Sequence, residues 1–413
     1  MLGSSCLWTP SITNRRKDMK FNPIIYFYLS PLIYSVDGDP YRTFEVLFVA
    51  VLSLILFIRG TIHKTYILDI ISVFLFSSFL IIQQFFISNG DIGFGVNFFI
   101  VFSAAFAPFW MLRSVHWHYP GLERGLKKGI NLLFWIAFLS ISLSFFTGMG
   151  ERHNGGIAGY RAFGFLGDSF SPVMVFLLLF YIINNFRYYA FMSGMVILMM
   201  GGKTAIVMFI FCMALYLLFI KNSVTHKVVG VALVVCLVAL PFFFVVLTSY
   251  LQNLEFSMMN RLISYRLGIE YFLESPIFGI GINQGLGRTT EEAILLAKTE
   301  GIVNYFPVYQ VQNPYLRILS ETGLIGLSLL LVLIYFLLSR AMKSIKSVLL
   351  LPESIERSII IAGGLWVIGF VCVYQTTGWF VAGHPQLTWL LMFSTISIIL
   401  SERKLAGYVH LDK

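Results

Sequence analysis

Long apolar runs, broken by short polar segments, repeat along the whole length of this chain. A helix needs about 20 predominantly apolar residues to cross the hydrocarbon core of a bilayer. The pattern therefore predicts an all-α, polytopic integral membrane protein with about twelve transmembrane helices. The predicted spans cover residues 21–36, 43–58, 66–88, 96–112, 129–147, 169–184, 188–200, 204–220, 228–248, 315–338, 359–376 and 385–400.

One break in this pattern is much longer than the others. Residues 249–314 separate the ninth predicted span from the tenth. Because a structureless loop of that length is uncommon, we expect short helices there, lying along the membrane surface. The chain thus divides into a membrane domain over 1–248, this large loop, and a second membrane part over 315–413. A shorter polar segment at 148–168 interrupts the first membrane domain.

Lysine and arginine residues indicate which way the helices run. With the N-terminus inside, 20 of the 29 Lys and Arg residues fall on the cytoplasmic side, as the positive-inside rule requires. Both termini are then cytoplasmic, and the loop 249–314 is periplasmic. Lys and Arg residues in loops on one side of the membrane account for most of the net charge of +9. This charge therefore does not indicate a nucleic-acid partner.

The segment 186–220 admits two interpretations. A single long helix would invert every later span and would place the basic loop 339–358 outside. A tight hairpin turning at Gly201-Gly202-Lys203 keeps the charge asymmetry, and glycines suit a tight turn. We therefore predict the hairpin, with Lys203 at its outer tip.

Residues 258–275 in the long loop have helical periodicity and predict an amphipathic helix at the interface. Arg266 is followed four residues later by Glu270, so a local ion pair is expected. Arg261 has no carboxylate at that spacing, which leaves it to bind an external anion or to lie among lipid headgroups. The predicted apolar face comprises Leu262, Tyr265, Ile269 and Phe272.

Glycines concentrate just after this helix. Four of them fall within 275–287, where backbone amides could hold phosphate oxygens, although a plain turn is the better explanation of the glycines alone. No Gly-Lys-Ser/Thr follows, so a nucleotide P-loop is not supported. Gly323 and Gly326, three residues apart in the tenth span, predict close helix packing.

The tenth span has a strong helix start. Asn313 is a capping residue and Pro314 suits the first helical position. The amides and the dipole at this helix end favour an anion, and we expect the helix to end near Leu338. Arg317 and Glu321 are four residues apart, which again predicts an ion pair.

Several cations fall just outside the predicted membrane core. Each alone fits an interface anchor, but together they suggest a site for an anionic lipid such as a lipid diphosphate. No His, Asp and Glu cluster has the spacing of a metal site, and His153 and His384 are isolated, so we expect no cofactor. The clustered cations are Arg161, Lys203, Arg261, Arg288 and Arg317.

At these residues the chain resembles the bacterial O-antigen polymerases and O-antigen ligases, over roughly 155–340. Arg161-Ala-Phe-Gly resembles the family's Arg-x-x-Gly segment before a span. Arg261, followed by Pro276-Ile-Phe-Gly-Ile-Gly, resembles the family's Arg and its later Pro-Leu-Phe-Gly-x-Gly turn. Gln312-Asn-Pro-Tyr-Leu-Arg-Ile-Leu-Ser-Glu-Thr-Gly323 resembles the family's His-Asn-x-x-Leu entry to a span, with its Glu-x-Gly.

Two positions depart from the family pattern. Gly202-Lys203 stands where the family often has Ser-Arg, which keeps a cation without the planar fork of arginine. Gln312 stands where ligases carry a histidine, and glutamine cannot accept a proton at neutral pH. This departure favours a polymerase over a ligase.

The resemblance implies a metal-independent glycosyltransferase at the periplasmic face of the bacterial inner membrane. It would move a glycan from undecaprenyl diphosphate onto a lipid-linked repeat unit, with a chain-length regulator protein as a candidate partner. A ligase that transfers glycan to the lipid A core is the alternative, and a flippase would need charged residues within the nearly charge-free spans. Implied catalytic residues are Glu321, which its pairing with Arg317 would weaken as a base, and Gln312. Implied substrate-binding residues are Arg161, Lys203, Arg261, Arg288, Asn313, Tyr315 and Arg317.

Overall fold

The fold is taken from a computed structural model of the 413-residue chain. The structure describes residues 75–86 without 77 and 84, 122–147, 151–157, 160–162, 170–200, 203–235 without 222, 255–282, 294–295, 311–373 without 312, and 397, 400 and 401.

Helices dominate this part of the chain. Three of them, α2, α8 and α9 as bounded below, are long and apolar enough to cross a membrane. The length and composition of these helices thus confirm the prediction of a helical membrane protein. The helices α1 to α9 cover 75–86, Leu122–Thr147, Ser171–Ile183, Arg187–Met199, Lys203–Phe219, Val224–Val235, Glu255–Glu274, Pro314–Val348 and Ile355–Val373.

Two further expectations stay predictions. The spans at 21–36, 43–58, 96–112 and 385–400 lie wholly or mostly outside the described residues, so the count of twelve is untested. The same holds for most of the loop 249–314 and for the domain boundaries drawn around it.

A short β-hairpin departs from the all-α prediction. Strands β1 (Glu151–Ile157) and β2 (Tyr160–Ala162) pair antiparallel within the polar segment between α2 and α3. The pairing gives hydrogen-bond partners to the backbone of a segment too short and too rich in glycine to continue as a helix. Arg152 lies directly opposite Arg161 in this register.

The segment 186–220 is not one continuous helix. Helix α4 ends at Met199 and α5 begins at Lys203, as the interpretation with two helices requires. Helix α5 packs mainly on α3 and α9. The interruption thus follows Met199, and the two glycines at 201 and 202 lie outside the described residues.

Helix α3 lies at the centre of the bundle and is buried from Ser171 to Tyr181. Helix α9 reaches it through the indole of Trp366, which donates to the carbonyl of Pro172 at 2.6 Å. Gly369 of α9 lets α5 come close, because a Cβ there would collide with the sulfur of Cys212. The core is thus built from apolar helices that meet at small residues, as in other helical membrane proteins.

Three segments meet at one end of the bundle, here called the basic end. The Glu123 carboxylate, at the start of α2, accepts a hydrogen bond from the amide of Ile355, at the start of α9 (2.8 Å). The ammonium of Lys127 lies 4.7 Å from the ring centre of Phe186, in the α3–α4 turn. The charge pattern places all three segments on one side of the membrane, which agrees with their meeting here, and the cytoplasmic location of that side stays a prediction.

Candidate functional site

Helix α8 breaks at Gly323. This glycine has φ 66° and ψ −167°, and it divides α8 into a short first part and a long second part that ends at Val348. A Cβ at this position would collide with the backbone carbonyl of Ile277. The prediction of one unbroken helix ending near Leu338 was therefore wrong. Gly323 therefore marks a break in α8 into which a turn packs. It is not a point of close contact between two continuous helices, as the sequence had suggested.

Residues 275–281 fill this break, and together with 320–325 they form what we call the glycine elbow. Amides of the turn donate to the last carbonyls of the first helical part, and the first amides of the second part donate to carbonyls of the turn. Both helix ends left open by the break thus find backbone partners. The bonds join Ile280 N to Ser320 O (3.0 Å), Gly281 N to Glu321 O (2.9 Å), Leu324 N to Pro276 O (2.9 Å) and Ile325 N to Ile277 O (3.3 Å).

The amides of the turn are consequently occupied. The amide of Gly279 donates to Ser275 O at 2.8 Å, and those of Ile280 and Gly281 donate across the elbow. Gly279 also needs its φ of 74°, and a Cβ there would collide with the carbonyl of Glu321. The turn therefore packs against the two parts of α8. Its three amides are not available to bind phosphate oxygens, the role considered from the sequence.

A third element, α1, closes the elbow through Gln83. Its side-chain Nε2 donates to the carbonyl of Glu321 at 2.8 Å and also to the carbonyl of Phe278. The residue is 5% exposed. Phe79, one turn earlier, lies against Gly326 in the second part of α8. Sequence reasoning missed Gln83, since two adjacent glutamines in an apolar span give no periodic signal.

The start of α8 has the predicted cap. The side-chain Oδ1 of Asn313 accepts from the amides of Tyr315 and Leu316, both at 3.0 Å. The amide of Arg317 donates to the Asn313 carbonyl at 2.8 Å. These first-turn amides are therefore committed to the cap, which removes the donors on which an anion site at this helix end would depend.

Tyr315 fixes α8 to its neighbour α9. Its hydroxyl donates to the carbonyl of Val371 at 2.7 Å. Two residues before Val371, Gly369 packs against Met208 of α5. The starts of α5 and α8 and the last turn of α9 therefore lie at the same end of the bundle, which we call the elbow end, and Lys203 begins α5 there.

A buried ion pair lies just before the break. The Nε atom of Arg317 is 2.9 Å from Oε1 of Glu321, and their side chains are 2% and 7% exposed. This confirms the predicted local pair. The pair places Arg317 inside the protein, although a surface cluster was expected. The catalytic role of Glu321 and the substrate role of Arg317 stay predictions.

Helix α7, which carries Arg261, turns a different face inward from the one predicted. Ile269, assigned to the apolar face, is 51% exposed, whereas Leu267 and Gly268 are buried. Gly268 lies against Leu316 in the first turn of α8, so α7 packs on protein where only lipid was considered. The expected surface pair does form, with Arg266 Nε 3.2 Å from Glu270 Oε1.

The other predicted site residues divide into two groups. Arg161 lies in β2, Lys203 at the first position of α5 and Arg261 in α7. Arg288 and Gln312 lie outside the described residues, so their contribution is untested. Among the residues that the structure does describe, no group of three or more His, Cys, Asp or Glu could hold a metal ion.

These features define a helical membrane protein with a broken helix, a docked glycine turn and a buried Arg–Glu pair at one end of its bundle. The model of a known family matches residues 188–331, and that family is described as O-antigen ligase. The matched segment runs from α4 through the elbow into the second part of α8. It confirms the resemblance seen in the motifs, and it contains all the implied site residues except Arg161. A search of curated proteins finds no match to this chain.

Proposed function

We propose that this protein is a polymerase of O-antigen or of a related surface polysaccharide. It transfers a growing glycan from undecaprenyl diphosphate to a lipid-linked repeat unit, at the periplasmic face of the bacterial inner membrane. The observation that carries the proposal is the match of residues 188–331 to the O-antigen ligase family, whose members are glycosyltransferase-like enzymes acting on lipid-linked glycans. Gln312, in place of a ligase histidine, favours the polymerase within this family.

The reaction needs charge neutralisation more than a strong nucleophile. A hydroxyl oxygen of the acceptor sugar attacks the anomeric carbon of the donor, and the bond from that carbon to the diphosphate oxygen breaks. The diphosphate leaves on its carrier lipid, and the hydroxyl proton passes to a base. Because the diphosphate is already a good leaving group, the protein mainly binds its charge and orients the acceptor.

In this scheme the other predicted cations and the buried pair have different tasks. Arg161, Lys203, Arg261 and Arg288 bind the diphosphate, for which the arginine fork is well suited. Glu321 is the candidate base, because it is the one carboxyl group among the implied site residues and it lies in the elbow. Arg317 stabilises Glu321 and contributes to the site indirectly.

Ligation to the lipid A core is the second candidate, because the matching family model is described by that activity. The two reactions share the donor and differ in the acceptor, so the elbow and the predicted diphosphate-binding cations would serve either one. The residue at 312 is the sequence feature that separates them, and Gln312→His tests whether a histidine there opens the ligase reaction.

A gene deletion distinguishes these functions. The deletion strain is complemented with wild type, with Arg261→Ala and with Arg266→Ala, a control on the same helix whose arginine is 55% exposed and paired with Glu270. Surface polysaccharide is then resolved on a gel. If the protein is a polymerase, the deletion strain loses the ladder and keeps single repeat units attached to the lipid A core. The control variant then restores the ladder, and Arg261→Ala does not.

Two other results would contradict the polymerase. Loss of all attached repeats, with polymer accumulating on the carrier lipid, would identify a ligase. An unchanged ladder would exclude both transfer reactions.

Metal independence is tested on membranes prepared from the strain complemented with wild type. Elongation of the glycan in these membranes is expected to persist when a chelator is added.

A further inference from the structure

Gln83 joins two segments that are far away in the sequence. The Nε2 group of a primary amide carries two N–H donors, and in Gln83 one reaches the carbonyl of Phe278 in the turn and the other reaches that of Glu321 in α8. These partners are 195 and 238 residues from Gln83. The side chain therefore holds the two halves of the glycine elbow together from a third helix.

This contact replaces a helical bond that the break removes. In an unbroken helix the carbonyl of Glu321 would accept from the amide of Ile325, which instead donates to Ile277. The Glu321 carbonyl accepts from Gly281 and Gln83 in its place. The carbonyl of the candidate base is thus held by α1 and by the turn, and not by the next turn of its own helix.

Removing the amide would leave the packing of α1 largely intact. Phe79 still fills the space beside Gly326, and Phe76 and Leu80 belong to the core. The Oε1 atom of Gln83 is buried and accepts no hydrogen bond from the described residues, among which the two carbonyls fix the orientation of the amide. The side chain is therefore specialised for donating to the elbow.

We propose that Gln83 is a positioning residue for glycan transfer. It holds the turn in the break at Gly323 and thereby keeps Glu321, with its partner Arg317, in a fixed place relative to the substrate. Gln83 lies outside the segment that matches the family model, so neither the motifs nor the family match assigns it this role. The proposal rests on the function proposed above and adds to it a residue that acts through another.

The test compares Gln83→Met and Gln83→Leu with wild type, all purified and placed in lipid nanodiscs. Both variants are uncharged, keep most of the side-chain volume and remove the two donors. The control is Phe86→Leu on the same helix, where the side chain is 75% exposed. Three quantities are measured: kcat and KM for the lipid-linked repeat unit, the melting temperature, and amide hydrogen exchange in the peptide that covers 275–281.

We expect both Gln83 variants to lower kcat at least about tenfold, because a misplaced catalytic group raises the reaction barrier. Their KM should stay within about twofold and their melting temperature close to that of wild type. Exchange of the elbow amides should become at least about tenfold faster, because the amide no longer holds the turn in the break. Phe86→Leu should change none of these quantities.

An unchanged kcat, or a loss of kcat that follows a fall in melting temperature, would overturn the positioning role. The exchange measurement separates this proposal from the function on which it rests. Should wild type transfer no glycan, the proposed function fails. Faster exchange in the Gln83 variants would still establish the elbow contact, and unchanged exchange would refute it whatever the activity.

Discussion

Gly323 and Gly194 show how differently two glycines of one membrane protein tolerate a side chain. At Gly323 the backbone has a positive φ and a Cβ would overlap Ile277, whereas at Gly194 in α4 no atom lies within 4 Å of such a Cβ. We expect Gly323→Ala to lower the melting temperature sharply or to prevent folding. Gly194→Ala should be neutral or slightly stabilising, by up to about 1 kcal/mol. Equal melting temperatures for the two variants would contradict the break.

The two Arg–Glu pairs differ in burial while sharing the same spacing. Arg317→Ala leaves a buried carboxylate, so we expect a loss of about 3–5 kcal/mol in unfolding free energy. Arg266→Ala removes an exposed pair and should cost about 0.3–0.5 kcal/mol. Unfolding in denaturing detergent measures both losses. The double variant Arg317→Met, Glu321→Leu should recover most of the first loss, and a double variant as unstable as Arg317→Ala would argue against the pair as its cause.

At the scale of elements, two variants of Asn313 distinguish its role as a helix cap from its predicted role in binding substrate. Asn313→Asp keeps an oxygen for the amides of Tyr315 and Leu316, so stability should be retained, whereas Asn313→Ala should lose about 1 kcal/mol. Melting temperature measures the cap, and kcat/KM measures substrate contact. Loss of kcat/KM in a stable Asn313→Asp protein would show that the amide itself contacts substrate, as the family resemblance implies.

Local signals in the sequence predicted local structure well. The Asn313-Pro314 helix start, the two ion pairs and the interruption after Met199 all rest on residues within four positions of each other. The break at Gly323 could not be predicted in this way. A glycine in an apolar helix is compatible with close packing as well as with a break, and its partner turn lies about 45 residues earlier.

The same dependence on distant residues explains why the buried face of α7 was predicted wrongly and why Gln83 of α1 was missed. The periodicity of α7 correctly predicted a helix, but which face is buried depends on α8, whose position the sequence of α7 does not contain. Gln83 lies in a span recognised only by its hydropathy, and its partners belong to other helices. The candidate site could therefore be predicted as a set of residues, whereas the contacts that hold it depend on long-range packing.

At the scale of the whole molecule, the fold predicts which segments share a side of the membrane. Helix α8 has 25 residues between Gly323 and Val348, roughly 37 Å at 1.5 Å per residue, so the elbow lies far from the basic end. We expect Leu350→Cys, whose native side chain is 96% exposed in the α8–α9 turn, to react with an impermeant thiol reagent only after permeabilisation. Glu270→Cys should react in intact spheroplasts.

Both variants are made in a chain that lacks its four native cysteines. Labelling of the two positions from the same side would contradict the orientation. It would also remove the periplasmic location of the site, because Glu270 lies on α7 directly before the elbow.

The central claim is that this protein elongates lipid-linked glycans at the elbow end. The most direct test supplies purified protein in nanodiscs with one substrate, the repeat unit on undecaprenyl diphosphate, and resolves the carrier-linked products by length. We expect a ladder of two and more repeats from wild type and from Arg266→Ala, and single repeat units only from Arg261→Ala. Folded wild type that forms product only when lipid A core is added would contradict the polymerase and identify a ligase.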